Sequence, residues 1–272
     1  MPPPIGSNSS QYSKVNLENL ILKDQIRMTG VSEVNDPFDC NPHIVDDLTP
    51  RLVSRKVGEL LRNPKTGPEM RHARSSIMKE YPNRKVRRAK ISEIEERFRP
   101  LMRLGSMKFF QEFGFYSLTA NSRSQLMWAH YAANHTGICL GFSTRGNKPA
   151  FGTAEEVIYQ ESRPRIQLSN SVALENKNKN HNEVGDALIT KGKDWAYEKE
   201  WRFLSQHDDC LSKCGDVLSL QDSKLKVIIL GIKANSATRS FVDKQLQLSG
   251  KKRVRILKAS PSTDKFKIRY HS

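Results

Sequence analysis

Two glutamates, one residue apart, are the side chains of this sequence best suited to chemistry. Glu198 and Glu200 lie in residues 195–203, where aromatic side chains mostly take the odd positions and charged side chains the even ones. A period of two is typical of a β-strand, so this stretch predicts a strand with both carboxylates on one face, roughly 6.5–7 Å apart. That spacing suits acid/base chemistry, or the holding of a ribose beside a nucleophile. Arg202 continues the row of charged residues and could pair with Glu200. The alternative to a catalytic site is a solvated edge strand that this Glu200–Arg202 pair stabilises.

A second group of candidate residues lies on a predicted helix. Ser122 and Gln125 fit a capping box, and Gly137 stands where a C′ residue would end the helix. Between them, His130 and Tyr131 could contact a nucleotide or stack on a base. The alternative is a core helix whose tyrosine and histidine find local hydrogen bonds.

A third group forms a predicted turn over residues 35–40. The proline that follows Asp36 disfavours a helical conformation there, and Asn35 and Asp36 favour a turn with hydrogen bonds from side chain to backbone. The carboxylates of Asp36 and Asp39 could bind a metal ion or a sugar hydroxyl, or the segment is simply a structural turn.

A zinc site is not expected. His207, Cys210 and Cys214 offer one pair of cysteines, but no second pair stands at the spacing of a zinc finger. The sequence also lacks the GxGxxG, Walker A, HExxH and GxSxG patterns, so those chemistries lose support. We therefore expect no metal cofactor.

Positive charge dominates the chain and is concentrated in one region. The 272 residues include 45 Lys+Arg and 29 Asp+Glu, a net charge of +16, which favours a polyanionic partner. Residues 51–108 hold 17 Lys+Arg and 6 Asp+Glu, and their apolar residues recur at helical spacing. We predict a basic lobe of two or three helices, with Pro64, Pro68, Pro82 and Pro100 between them. Its densest part is the predicted nucleic-acid contact, formed by Arg84, Lys85, Arg87, Arg88 and Lys90.

The remaining elements predict an α+β fold, with a mixed, partly antiparallel sheet as its core. The C-terminal part reads as a strand–helix–strand unit whose strands pair in parallel, and the other predicted strands are residues 115–118, 138–142 and 157–159. We expect a flexible N-terminus over 1–14 and a single domain over 15–272 that includes the basic helical lobe. No apolar run is long enough to cross a membrane, and the low cysteine content favours the cytoplasm.

Four blocks of sequence, in this order, resemble the bacterial domain-of-unknown-function family numbered 2971. The resemblance covers roughly residues 15–260. Its first block, residues 35–39, usually follows a short strand with the pattern tyrosine–basic–tyrosine, which is weaker here. The blocks are residues 35–39, 126–142, 157–159 and 193–202.

A more distant resemblance is to ADP-ribosyltransferases. It would align Tyr12 or Lys14 with their early strand residue, Thr29 with the next, and Glu198 and Glu200 with their late glutamates. The resemblance implies that NAD is bound, and that a late glutamate holds the nicotinamide ribose and favours an oxocarbenium-like transition state.

The leading hypothesis is therefore an NAD-dependent ADP-ribosyltransferase-like enzyme, acting as a toxin or an antiphage effector on a nucleic-acid or protein target. The partner expected under this hypothesis is an antitoxin or another defence-system component. Glu198 and Glu200 would be catalytic. A metal-dependent nuclease with Asp36, Asp39, Glu198 and Glu200 as ligands is one alternative, and a non-catalytic nucleic-acid-binding module is another. Under the leading hypothesis, the residues expected to bind NAD are Tyr12, Thr29, Asn35, Asp36, His130, Tyr131 and Arg202.

Overall fold

The computed structural model describes residues 14–62, 68–111, 113–143, 151–169, 181–206, 217–220 and 225–272. Tyr12, expected to bind NAD, and the weak zinc candidates His207, Cys210 and Cys214 lie outside the described residues, as does nearly all of the predicted N-terminal segment 1–14.

The described elements confirm an α+β fold. The helices are α1 (Lys14–Lys23), α2 (Pro50–Arg62), α3 (Pro68–Glu80), α4 (Arg84–Ala89), α5 (Ile91–Gln111), α6 (Gln125–Tyr131), α7 (His181–Leu188) and α8 (Ser236–Ser249), with 3₁₀ turns at Val31–Glu33 and Lys193–Glu198. The strands are β1 (Gln25–Arg27), β2 (Thr29–Gly30), β3 (His43–Val45), β4 (Phe113–Thr119), β5 (Ile138–Phe142), β6 (Glu155–Glu156), β7 (Ile158–Gln160), β8 (Arg165–Gln167), β9 (Thr190–Gly192), β10 (Glu200–Gln206), β11 (Val217–Ser219), β12 (Leu225–Leu230), β13 (Arg255–Pro261) and β14 (Ile268–His271). No helix among them is long and apolar enough to cross a membrane.

The chain divides into two compact units. The first contains residues 1–40, 112–162 and 189–272, and the second contains residues 41–111 and 163–188. That residues 15–272 fold as a single domain stays a prediction.

Two four-stranded sheets organise the first unit. One has the strand order β2–β4–β10–β6, with β10 antiparallel to both of its neighbours, and the other has the order β14–β13–β12–β5. In the second sheet β12 and β13 pair in parallel, which confirms the predicted strand–helix–strand unit with α8 as its helix. Apolar side chains from both sheets, α1 and α8 form the main core, in which Ile21, Leu140 and Ile228 are fully buried.

The second unit carries the basic helices. Its core contains Val57, Ile94 and Phe98, all fully buried, from α2 and α5. The predicted basic helical insertion is confirmed, although residues 51–108 form four helices, α2–α5, instead of two or three. Pro100 lies inside α5 and does not end it, so its predicted role as a helix boundary is wrong.

Helix α6 begins two residues later than the sequence predicts. Its N-cap is Ser124, whose hydroxyl accepts a hydrogen bond from the backbone N–H of Met127 at 3.3 Å. The capping box at Ser122 and Gln125 is therefore wrong: Gln125 is the first helical residue, and the carbonyl of Ser122 accepts the Trp128 indole N–H at 2.7 Å.

The two candidate caps can be compared directly. Ser124→Ala removes the acceptor for the Met127 N–H, so we expect it to lower the free energy of unfolding by about 1 kcal/mol. Ser122→Ala, the matched control, keeps the backbone carbonyl that accepts the Trp128 indole N–H, so it should change the free energy of unfolding much less. Urea denaturation measures both, and an equal loss in the two variants would contradict the assignment of Ser124.

The segment after α6 is held by a close backbone contact. Ala133, Asn134 and His135 all have positive φ angles, so the chain leaves α6 well before Gly137, and the predicted C′ role of Gly137 is wrong. At Gly231 a Cβ atom would lie 2.1 Å from the carbonyl oxygen of His135, so glycine is required at that position.

Candidate active site

Glu198 and Glu200 meet at a corner between a helical turn and a strand. Lys193–Glu198 forms a 3₁₀ turn, Lys199 adopts the left-handed conformation (φ 47°, ψ 51°), and β10 begins at Glu200. The prediction of one strand over 195–203 is therefore wrong for its first half. The alternation of aromatic and charged residues continues through the 3₁₀ turn, which has three residues per turn, so over residues 195–198 it does not correspond to the two faces of a strand.

Both carboxylates are nevertheless buried, and they converge on one lysine. Lys191, on β9, places its Nζ 2.7 Å from Glu198 Oε2, 3.2 Å from Glu200 Oε2 and 3.6 Å from Asp39 Oδ2. The same Nζ lies 4.8 Å from the centre of the Trp195 ring, a cation–π contact. The carboxylates are thus brought together by a shared cation and not by the pleat of a strand.

Arg202 is fully buried and binds two of these three carboxylates, those of Asp39 and Glu200. Its Nη1 and Nη2 donate to the two oxygens of Asp39 at 2.9 and 2.7 Å, a bidentate pair, and its Nε donates to Glu200 Oε1 at 2.9 Å. The guanidinium carbon lies 4.5 Å from the centre of the Phe115 ring. Burial opposes the charge of Arg202, but the carboxylates outweigh it and raise its pKa.

Asp39 is supplied by the predicted turn, which is confirmed. The backbone N–H of Asp39 bonds to the carbonyl of Asp36 at 3.1 Å, and the Phe38 N–H bonds to Asp36 Oδ1 at 2.9 Å. The carboxylate of Asp36 therefore caps the turn, whereas that of Asp39 joins the buried cluster.

Three hydroxyl groups complete the surroundings of the glutamates. Tyr131, on α6, donates to Glu198 Oε1 at 2.5 Å, and Ser117, on β4, donates to Glu200 Oε1 at 2.6 Å. The Tyr159 hydroxyl accepts the backbone N–H of Glu200 at 2.8 Å. Burial and the charge of Glu198 raise the pKa of Tyr131, so this hydroxyl remains a donor at neutral pH.

The two glutamates have opposite pKa displacements. Burial raises the pKa of Glu198, and the charge of Glu200 adds to that effect while Lys191 opposes it. Burial also opposes ionisation of Glu200, but Arg202, Lys191 and a hydrogen bond from Ser117 outweigh it and lower its pKa to about 2. Glu200 is therefore a fixed anion, whereas Glu198 takes up a proton more readily than an ordinary glutamate.

A small cavity opens onto this cluster. Its volume is about 40 Å³, room for a few water-sized groups. It brings together expected site residues that are distant in sequence. Those that line it are Thr29, Asn35, Tyr131, Glu198 and Glu200.

Three other expected site residues do not line this cavity. Asp36 caps its turn, and Arg202 lies fully buried, bound to Asp39 and Glu200. His130 is exposed, and its ring lies edge-on to that of Tyr131, with 6.3 Å between ring centres.

The basic cluster lies on and just after α4 in the second unit. Arg84, Lys85 and Arg88 are exposed. Arg87 donates to two backbone carbonyls, those of residues 81 and 82, and Lys90 pairs with Glu93 at 3.0 Å.

Lys191 is a site residue that was not predicted from the sequence, and Asp39 was predicted only as a ligand for a metal ion or a sugar hydroxyl. A signal for Lys191 was present, because the apolar run at residues 187–189 leads directly to Thr190 and this lysine, and acids in a buried stretch require cations. Within the described ranges, no group of three or more His, Cys, Asp or Glu side chains is arranged to hold a metal ion. The space between Asp39, Glu198 and Glu200, where the nuclease hypothesis placed a metal, contains the ammonium group of Lys191.

One segment of the chain, which contains part of this cluster, matches a known protein family. Residues 127–203 match the family described as protein of unknown function (DUF2971). This confirms the resemblance over those residues, a shorter span than expected. The DUF2971 segment runs from α6 into β10 and contains Tyr131, Lys191 and both glutamates, whereas Asp39 lies outside it. No curated protein and no solved structure matches the chain, and the likeness to ADP-ribosyltransferases stays a prediction.

Proposed function

We propose that this protein is an NAD-dependent ADP-ribosyltransferase-like enzyme. The observation that carries the proposal is the pair of buried glutamates at one cavity whose pKa values are displaced in opposite directions. Such a pair is typical of sites that need one fixed negative charge and one group able to exchange a proton. A purely structural ion pair does not require the two values to diverge.

The proposed chemistry assigns one role to each glutamate. In transfer from NAD, the bond between the ribose C1′ and the nicotinamide nitrogen breaks, and its electron pair leaves with nicotinamide. The anion of Glu200 stabilises the positive charge that develops on the ribose. Glu198 accepts the proton of the acceptor that attacks C1′. A cavity of about 40 Å³ would hold no more than one edge of the ribose of NAD.

Incubation of the purified protein with NAD, labelled on the adenine side, tests the proposal. Conversion of NAD to labelled ADP-ribose products is followed with DNA, RNA, protein extract and water alone as acceptors. We expect NAD consumption by the wild-type protein and a loss of about 100-fold in Glu198→Gln, within the usual contribution of a positioned proton acceptor.

Glu156→Gln is the matched control, because Glu156 is an exposed acid on β6, which pairs with β10. It should keep the wild-type rate. The proposal is overturned if no acceptor supports NAD consumption, or if Glu198→Gln consumes NAD as fast as Glu156→Gln and the wild type.

The proposed target is a nucleic acid or a protein, and the proposed setting is a toxin or antiphage defence system with an antitoxin or another system component as partner. Exposure of Arg84, Lys85 and Arg88 on α4 supports a nucleic-acid target, because these cations can contact phosphates. The buried free thiol of Cys139 supports a reducing compartment, the cytoplasm.

The same exposed cations also favour a second candidate, a nucleic-acid-binding module without catalysis. It predicts salt-sensitive binding that survives Glu198→Gln and Glu200→Gln but weakens when Arg84, Lys85 and Arg88 are replaced by alanine. Fluorescence anisotropy with labelled oligonucleotides separates the two candidates when it is combined with the NAD assay.

A further inference from the structure

The first unit has a second, larger cavity beside the turn between β13 and β14. Its volume is about 590 Å³, within the roughly 300–1,000 Å³ of ordinary ligand sites. Its walls are residues 261–268, residues 232–233 in the segment that follows β12, and residues Gln125 and His135. None of these residues lines the cavity at Glu198, so this feature is independent of the proposed transfer reaction.

An aromatic ring stands fully exposed on this turn. Phe266 is 98% exposed, whereas large apolar side chains of globular proteins usually lose much of their surface to packing. The turn itself is ordered, because the Ser262 N–H bonds to the carbonyl of Lys267 at 2.8 Å and the Ser262 hydroxyl bonds to Asp264 at 2.7 Å. The ring is thus displayed on a defined backbone.

The charge around Phe266 is positive. Lys265 and Lys267 flank the ring in sequence, and Lys233 lines the same cavity. Among the described residues that line the cavity, Asp264 is the one acid, and its carboxylate is bound by Arg269 at 3.0 Å. This combination of cations with an exposed ring is complementary to an anionic ligand that carries flat groups.

A second ring lies in the cavity wall. The His135 ring is nearly parallel to that of Trp128, with 6.4 Å between ring centres, and the Trp128 indole is fixed by its hydrogen bond to Ser122. Among the described residues, His135 Nδ1 has no hydrogen-bond partner. Burial and the charge of Lys233 lower the pKa of His135, which favours the neutral form of this ring.

We propose that this cavity binds single-stranded nucleic acid, with one base stacked on Phe266 and the adjacent phosphates bound by Lys233, Lys265 and Lys267. An unpaired base exposes the face that an aromatic side chain needs, and cations along the backbone add sequence-independent affinity. A duplex keeps its bases stacked on each other and cannot use Phe266 in this way.

Anisotropy titration of the full chain with labelled oligothymidylate, oligouridylate and a DNA duplex tests the proposal. We expect Phe266→Ala to weaken binding of the single strands about tenfold, within the range measured for one stacked base, and to leave duplex binding unchanged. Replacing both Lys265 and Lys267 with alanine should reduce the dependence of log K on log salt by about 1.4. The preferred oligonucleotide distinguishes DNA from RNA.

Two exposed residues on and after α8 provide matched controls. Leu248→Ala removes a side chain that is 64% exposed, and Lys252→Ala removes an exposed cation; both should bind like the wild type. Binding through α4 is the same in every variant and cancels in the comparison. Equal affinity of Phe266→Ala and wild type for the single strands overturns the proposal, as does the absence of single-strand binding by the wild type at low salt.

Discussion

Replacing Arg202 with methionine is expected to lower the free energy of unfolding by about 3–5 kcal/mol, because it removes one partner of a buried ion pair. Arg202 is 0% exposed and makes hydrogen bonds to both oxygens of Asp39 and to Glu200. In its absence Lys191 would be the one cation among the described residues that pairs with the three buried carboxylates of Asp39, Glu198 and Glu200. Urea denaturation followed by circular dichroism measures the loss.

A surface pair gives the matched control. Arg269 forms an ion pair with Asp264 at 3.0 Å, but both side chains are more than half exposed, so Arg269→Met should cost less than about 1 kcal/mol. Arg202→Lys keeps the charge but loses the bidentate geometry and should lie between these values. Equal losses for Arg202→Met and Arg269→Met would show that the buried pairs do not hold this region together.

Glutamine substitutions at the two glutamates are expected to shift the pH dependence of stability in opposite directions. The pKa of Glu200 is lowered from 4.5 to about 2, so its contribution to stability is present above pH 4.5 and is lost as the pH falls toward 2. Glu200→Gln should therefore cost about 3 kcal/mol at neutral pH, and the cost should shrink in acid.

The contribution of Glu198 to stability changes with pH in the opposite direction. Its pKa is raised, so its contribution is present below its ordinary value and is lost as the pH rises through the raised value. Glu198→Gln is always neutral, so its stability relative to the wild type should improve as the pH rises.

Denaturant titrations at several pH values from acid to neutral measure both trends. Glu156→Gln, which replaces an exposed acid, should follow the wild type throughout. Parallel curves for Glu198→Gln and Glu200→Gln would contradict the opposite displacement of the two pKa values, and with it the observation on which the proposed function rests.

Short-range patterns of residues predict a large part of the fold. Residues 138–142 form β5 as predicted, because a short apolar run next to a glycine leaves few alternatives. The parallel pairing of β12 and β13 follows from the strand–helix–strand order, and the turn at 35–40 follows from Asn, Asp and Pro side chains that act on their own backbone. In each case the interactions that decide the structure lie within a few residues of each other or within one supersecondary unit.

The sequence by itself determined that Glu198 and Glu200 needed an explanation, because two acids in an aromatic stretch must either reach solvent or find cations. Only the tertiary structure decided which. In the folded protein the chain direction changes at Lys199, and both glutamates are buried. Lys191 from β9 contacts them, and Asp39, from a turn about 160 residues away, joins the same cluster. Ion pairs between residues so far apart in sequence depend on how whole elements pack against each other. The spacing of residues along the chain therefore does not predict them.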